Sequence, residues 1–104
     1  MSDPSLDLLH AFKGKTVTLA RLEDQIALST DDGWSLHIYN RASFEHSLQN
    51  SILLNLKGCT IDGTTMTLAF DDGSALQVDL SDSGYDGPEA MQLNGPDGSV
   101  IIWN

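Results

Sequence analysis

The sequence predicts a mainly β domain: an antiparallel curved sheet, half-barrel or small sandwich built from a duplicated hairpin unit, with one or two short helices. Three observations carry that reading. Apolar residues alternate with period two through most of the chain. Asp-Gly turn signals separate the alternating runs. One stretch, Ile26 to Ile38, is echoed later in the chain with the same turn in the same place.

The elements follow in order. Ser5 to Phe12 offers Leu6, Leu9 and Phe12 on one helical face, with Pro4 at a permitted first-turn position. Val17 and Leu19 then alternate with Thr16, Thr18 and Ala20. Ile26, Leu28 and Thr30 form a second stripe, and Trp34, Leu36 and Ile38 a third. Ser43 is a candidate cap for a short helix to Asn50, with Phe44 and Leu48 one turn apart on its inner face. Ile52 to Leu56 alternates like a strand. Met66, Leu68 and Phe70 share one face, as do Leu76, Val78 and Leu80. Ser81 to Pro88 is rich in Gly and Asp and reads as a surface loop. Ala90 to Leu93 pairs with Val100 to Trp103 across Asn94-Gly95-Pro96-Asp97-Gly98.

The repeat is the most informative feature. Lys13-Gly14-Lys15-Thr16-Val17 matches Lys57-Gly58-Cys59-Thr60-Ile61. Ile26-Ala27-Leu28, Asp31-Asp32-Gly33, Leu36 and Ile38 match Met66-Thr67-Leu68, Asp71-Asp72-Gly73, Leu76 and Val78. On this alignment the second copy is four residues shorter between its first two strands. Asp97-Gly98-Ser99-Val100 is a weaker third echo. Two copies are too few for a solenoid. The expected organisation is one domain over 1–104, with the repeat at about 8–40 and 52–80 and a C-terminal hairpin over 89–104.

Charge narrows the function. Fifteen acidic residues face five basic ones, for a formal net charge of −10. No Lys or Arg follows Lys57. Such a chain repels nucleic acid and anionic membrane surfaces, and it speeds encounter with a basic partner. A plain soluble acidic surface explains the same counts. The single Cys59 excludes an internal disulfide framework, and no apolar run reaches the roughly 20 residues of a membrane span. Met1-Ser2-Asp3-Pro4 lacks the basic region of a signal peptide, so the expected location is the cytoplasm.

The residues name no reaction. Cys59 has no His-bearing nucleophile signature around it, and a small buried thiol is the expectation. His10, His37 and His46 lack metal-site spacing, and His37 with Tyr39 reads as a polar outer face. Asp31-Asp32 and Asp71-Asp72 are accounted for as turns; neighbouring acids on a strand point apart. Asp82, Asp86 and Gly87 fail the calcium-loop spacing. No phosphate-binding glycine loop is present. The chain is therefore expected to be no enzyme and to hold no cofactor or metal. Two aromatics stand among carboxylates: Trp34 either packs on the sheet or anchors a partner, and Tyr85 either lids an edge or does the same.

The run of Gly14 with its apolar strand, Ile26 to Gly33, Leu36 to Tyr39, Gly87-Pro88-Glu89-Ala90-Met91 and Val100-Ile101-Ile102-Trp103 resembles small bacterial β-rich immunity proteins of contact-dependent growth inhibition systems. The resemblance rests on turns and strands and transfers no catalytic residue. It implies a cytoplasmic protein that binds one cognate toxin domain, often a nuclease, and blocks it. A −10 inhibitor suits the cationic cleft of such a nuclease, an RNase first of all, because its carboxylates can stand where phosphates would lie. The expected contact set is Asp79, Asp82, Tyr85, Asp86 and Glu89, assisted by Asp71 and Asp72, with Asp31, Asp32 and Trp34 as a second patch. The expected state is a monomer in a one-to-one complex with the toxin domain, without nucleic acid or membrane. The alternative is a non-catalytic scaffold in which an exposed sheet edge pairs two copies.

Overall fold

The computed structural model describes residues 4–21, 25–44, 51–81 and 91–103. A helix, α1 (Pro4–Phe12), precedes nine strands: β1 (Thr16–Arg21), β2 (Ile26–Ser29), β3 (Ser35–Ile38), β4 (Ala42–Phe44), β5 (Ile52–Asp62), β6 (Thr65–Phe70), β7 (Ala75–Asp79), β8 (Met91–Asn94) and β9 (Val100–Trp103). They form one open antiparallel sheet in the order β4-β7-β6-β5-β1-β2-β3-β8-β9. The predicted curvature is present. Eight interstrand steps of about 4.8 Å would carry a flat sheet to roughly 38 Å. The longest dimension of the molecule is 31 Å.

The bend lies in β5. Its residues Ile52 to Asn55 pair with β1, and Leu56 to Asp62 pair with β6. Between them Lys57 is an extra residue: Leu56 opposes Phe70 while Gly58 opposes Ala69. A bulge of this kind leaves one residue unpaired and sharpens the local twist. The sheet folds about this point into two halves, β1-β2-β3-β8-β9 and β5-β6-β7-β4. Away from the bend the halves stay linked, because only residues 39–41 separate β3 in one half from β4, the outer strand of the other. Asn40 ties that crossing, its Nδ2 donating to the Asp79 carbonyl at 2.8 Å.

The alternating apolar residues face inward between the halves. Val17, Leu19, Leu28, Leu36, Met66, Leu68, Leu76, Val78 and Met91 are fully enclosed. The helix packs against β5 through Leu8, Ala11 and Phe12. That i, i+3, i+4 set differs from the expected Leu6-Leu9-Phe12 face; Leu9 is only partly buried. Gly14, at φ +77°, ends the helix in the left-handed conformation a C-terminal glycine supplies cheaply.

Strand pairing corrects the repeat. Leu19 opposes Leu28 in the first half, and Cys59 opposes Leu68 in the second. The offset is therefore 40 in the first strand as well, and the second copy is not shortened. Cys59 takes the place of Leu19, not of Lys15, and is buried as a core side chain. The two Lys-Gly pairs do not superpose. They lie side by side, Gly14 N–H donating to the Leu56 carbonyl at 3.2 Å.

Two further differences follow from topology. Ser43 and Phe44 do not open a helix: they belong to β4, where Ser43 pairs with Gln77 and Phe44 with Leu76. The unpaired side of β7 and an edge-on contact with Phe70 at 5.9 Å outweigh the local cap signal. Residues 45–50 of the expected helix lie outside the described residues. The second difference is reciprocal. The strand after β3 joins β7, while the strand after β7 joins β3. Each half-repeat thus donates its fourth strand to the other half.

The β2–β3 turn meets the β8–β9 turn so closely that a Cβ on Gly33 would stand 2.8 Å from Pro96 Cβ. Gly73, its repeat counterpart, has φ +88° but open space around it. Gly73→Ala should cost about 1 kcal/mol for the left-handed backbone alone. Gly33→Ala, at φ +101°, should cost at least about 1 kcal/mol more because Pro96 must move. Urea unfolding of the two variants checks the difference.

Candidate functional site

Three turns share one construction. In Thr30-Asp31-Asp32-Gly33-Trp34, Phe70-Asp71-Asp72-Gly73-Ser74 and Gly95-Pro96-Asp97-Gly98-Ser99, the first N–H donates to the fifth carbonyl. The glycine N–H donates to the first carbonyl, and each glycine has positive φ. This is a type I turn closed by a left-handed glycine, which joins two strands with a three-residue loop. The third echo in the sequence is thus the same turn as the other two.

The third position of each turn is an aspartate with an internal role. Asp72 Oδ1 accepts from the Ser74 N–H at 2.9 Å and from its hydroxyl. Asp97 Oδ1 accepts from the Ser99 N–H at 3.1 Å. In the first turn Trp34 replaces the serine, and Thr30 substitutes: its hydroxyl donates to Asp32 and accepts from the Trp34 N–H at 3.2 Å. Lys15 Nζ completes the Asp32 environment at 2.6 Å. The Lys15 and Thr30 donors hold the Asp32 carboxyl below its usual range. The Ser99 hydroxyl and N–H do the same for Asp97. The second-position residues Asp31 and Asp71 are exposed and have no side-chain partner among the described residues.

All three turns lie at the same end of the molecule, over the bend in β5. Asp71 N–H donates to the Asn55 carbonyl at 3.0 Å, and Asn55 Oδ1 accepts from Thr16 Oγ1 at 2.9 Å. The next residue, Lys15, reaches Asp32. Trp34 then packs against Gly95, where an added Cβ would stand 3.3 Å from its ring. The ring also meets His10 edge-on at 6.0 Å and lies 5.9 Å from the Lys15 ammonium. Trp34 is therefore half-buried, one side on the core and one side outward. Lys13 and Lys57 belong to this end as well, so its surface alternates in sign.

The sequence-based set is divided by this arrangement. Asp31, Asp32 and Trp34 come together with Asp71 and Asp72, and Asp97 joins them; its repeated Asp-Gly-Ser signal could have placed it. Asp79 lies at the opposite end of β7 from Asp72, roughly 20 Å away at strand rise, so Asp71 and Asp72 do not assist it. There its Oδ1 accepts from the Ser81 hydroxyl and, at 2.8 Å, from the Ser81 N–H, which lower its pKa, with Arg41 adding to the effect. Asp82, Tyr85, Asp86 and Glu89 lie outside the described residues.

No grouping of three or more His, Cys, Asp or Glu suited to a metal occurs among the described residues. His37 faces outward, stacked on Tyr39 at 6.5 Å and bonded to Gln25 at 2.6 Å. Among the described residues no helix is long and apolar enough to cross a membrane. A shallow groove of about 530 Å³ beside β4 and β7 has a mixed lining that includes Arg41, Ala42, Ser43, Gln77, Val78 and Asp79. Compared with known protein families, curated proteins and solved structures, the chain matches none.

Asp32, Asp79 and Asp97 all bind protons less readily folded than unfolded. Their contribution to stability is present above the ordinary value of 3.8 and is lost as pH falls through the lower folded values. Urea midpoints should therefore drop below that pH. Asp97→Asn keeps an acceptor for Ser99 and should make the acid limb shallower, as parallel urea titrations would show.

Proposed function

We propose that the chain is a non-catalytic inhibitor that binds and neutralises a basic toxin domain, an RNase first of all, in the manner of an immunity protein. The observation that supports this reading is the convergence of the three aspartate turns beside the outward side of Trp34. Asp31 and Asp71 project from rigid turns whose neighbouring aspartates already hold the backbone. Two carboxylates fixed in advance lose little freedom on meeting Lys or Arg of a partner. Trp34 supplies apolar area at the centre with few rotamers to immobilise.

The intervening lysines sharpen the reading. A uniformly cationic surface would meet Lys13 and Lys57 with repulsion. The fitting partner places acids opposite them, and that requirement discriminates one toxin from another. In this proposal the protein acts in the cytoplasm as one copy per toxin, without nucleic acid, membrane or cofactor.

The proposal expects the neighbouring gene to encode a basic toxin domain, and the test is whether this protein inhibits RNA cleavage by that domain; a neighbour with no such domain counts against it. Binding should be of nanomolar class and weaken as salt rises. Joint reversal in Asp31→Lys with Asp71→Lys should weaken it by about tenfold or more, chiefly through slower association. The same reversal at Asp62, on the far end of β5, should change little. Full inhibition by the double variant, or affinity indifferent to salt, would overturn the proposal.

A further inference from the structure

A second surface adjoins the acidic turns. Strand β9 ends the sheet, and among the described residues only β8 pairs with it. Sheet edges are ordinarily blunted by charge, proline, a bulge or shortness. The opposite edge, β4, has only three residues and follows Arg41. By contrast, Ser99 to Trp103 carry no charge and no proline. Val100 and Ile102, on the outward face, are 53% and 46% exposed. The backbone of the same two residues is open as well. Gly95 N–H donates to the Ser99 carbonyl, and pairing runs on in register to Met91 opposite Trp103. Hydrogen-bonded pairs alternate along an antiparallel ladder, so Leu93 with Ile101 and Met91 with Trp103 are the bonded ones. Val100 and Ile102 therefore turn their N–H and C=O groups away from β8.

We infer that this edge takes up an extended strand of the basic toxin domain, which adds to the sheet beside β9. The inference deepens the inhibitor reading and rests on it for the partner. Main-chain bonds to Val100 and Ile102 can hold such a strand in either direction. Charge selects who supplies it. Every charged residue after Lys57 is acidic, and the chain as a whole carries −10. A second copy brings the same charge and is repelled, whereas a basic strand is drawn in.

The place of β9 supports the same partner. Its first residue, Val100, directly follows Asp97-Gly98-Ser99. Pro96 of that loop lies against Gly33, beside Asp31 and Asp32. A strand running past Val100 thus arrives at the aspartate turns, where its basic residues find carboxylates. The pleat sets the rest of its chemistry. Residues level with Val100 and Ile102 share their outward apolar face. The residue level with Ile101 falls on the core side, where Ile101 is only partly buried. The strand that fits is apolar along these positions and carries Lys or Arg at the end nearest Asp97.

Hydrogen exchange of the Val100 and Ile102 amides tests the inference. Both should exchange quickly in the free chain, and about tenfold or more slowly in the complex with the toxin domain. Ile102→Pro removes an outward donor and none of the β8 bonds, so the hairpin should survive it. Its urea midpoint should stay near that of the unaltered chain, while its affinity for the toxin falls by about tenfold or more. Exchange in the unaltered chain decides the matter if the variant misfolds. Toxin inhibited as before, with both amides exchanging as in the free chain, would overturn the inference and leave the inhibitor reading standing. If the toxin domain does not bind, the inhibitor reading fails, and short synthetic peptides decide the edge. A peptide alternating Lys and Val should slow the same two amides and lose its effect as salt rises; one alternating Glu and Val should not slow them. No slowing by the Lys peptide, or slowing in the chain alone as its concentration rises, would overturn the inference.

Discussion

The bend in β5 is the constraint on which the rest of the structure depends. One strand serves both halves of the sheet: its first part completes the half built on β1, and its second part begins the half built on β6. Straight, its eleven residues would span roughly 33 Å at strand rise. That exceeds the longest dimension of the molecule, 31 Å. The extra residue Lys57 and the side-chain-free Gly58 let it turn. Because it turns, the apolar faces of both halves look at one another and at Leu8, Ala11 and Phe12 of the helix. A straight β5 would leave those faces turned to water, and burial of apolar area is what holds a domain of this size together.

The same bend decides where the charges go. Each Asp-Gly turn closes a hairpin at the end nearest the bend, so folding the halves together gathers the turns. The aspartates there divide into two kinds. Asp32, Asp72 and Asp97 are spent on the backbone and keep the loops in one shape. Asp31 and Asp71 project from loops so held. Preorganised charge of this kind is the physical basis on which the inhibitor reading rests, with the half-buried Trp34 as its apolar centre.

Most of the strands were legible in the sequence, because period-two alternation and Asp-Gly turns are local signals that tertiary structure rarely overrides. Leu28, Leu36, Leu68 and Leu76 announce their own faces. The errors came where a local signal competed with a distant one. Lys13-Gly14 and Lys57-Gly58 look alike, yet one ends a helix and the other sits at a bulge; only the pairing of Leu19 with Leu28 and Cys59 with Leu68 sets the offset. Ser43 reads as a cap until the open side of β7 is known. Asp72 and Asp79 look like one patch because seven residues separate them, but a strand converts that spacing into distance. Asp97 was missed for the opposite reason: far from Asp32 in sequence, it is brought near by the contact of Gly33 with Pro96.

The exchange of fourth strands bears on how the chain is made. β8 lies inside the finished sheet, between β3 and β9, although it is drawn from the last part of the sequence. While the chain emerges from the ribosome, β3 waits with its outer side bare until residues 91–94, more than fifty positions later, have been synthesised. The N-terminal half cannot complete its sheet alone, and contacts of such long sequence separation form slowly. Until β8 follows, the nascent chain carries an unfilled slot the width of one strand, and closing it is an act of the β8–β9 hairpin.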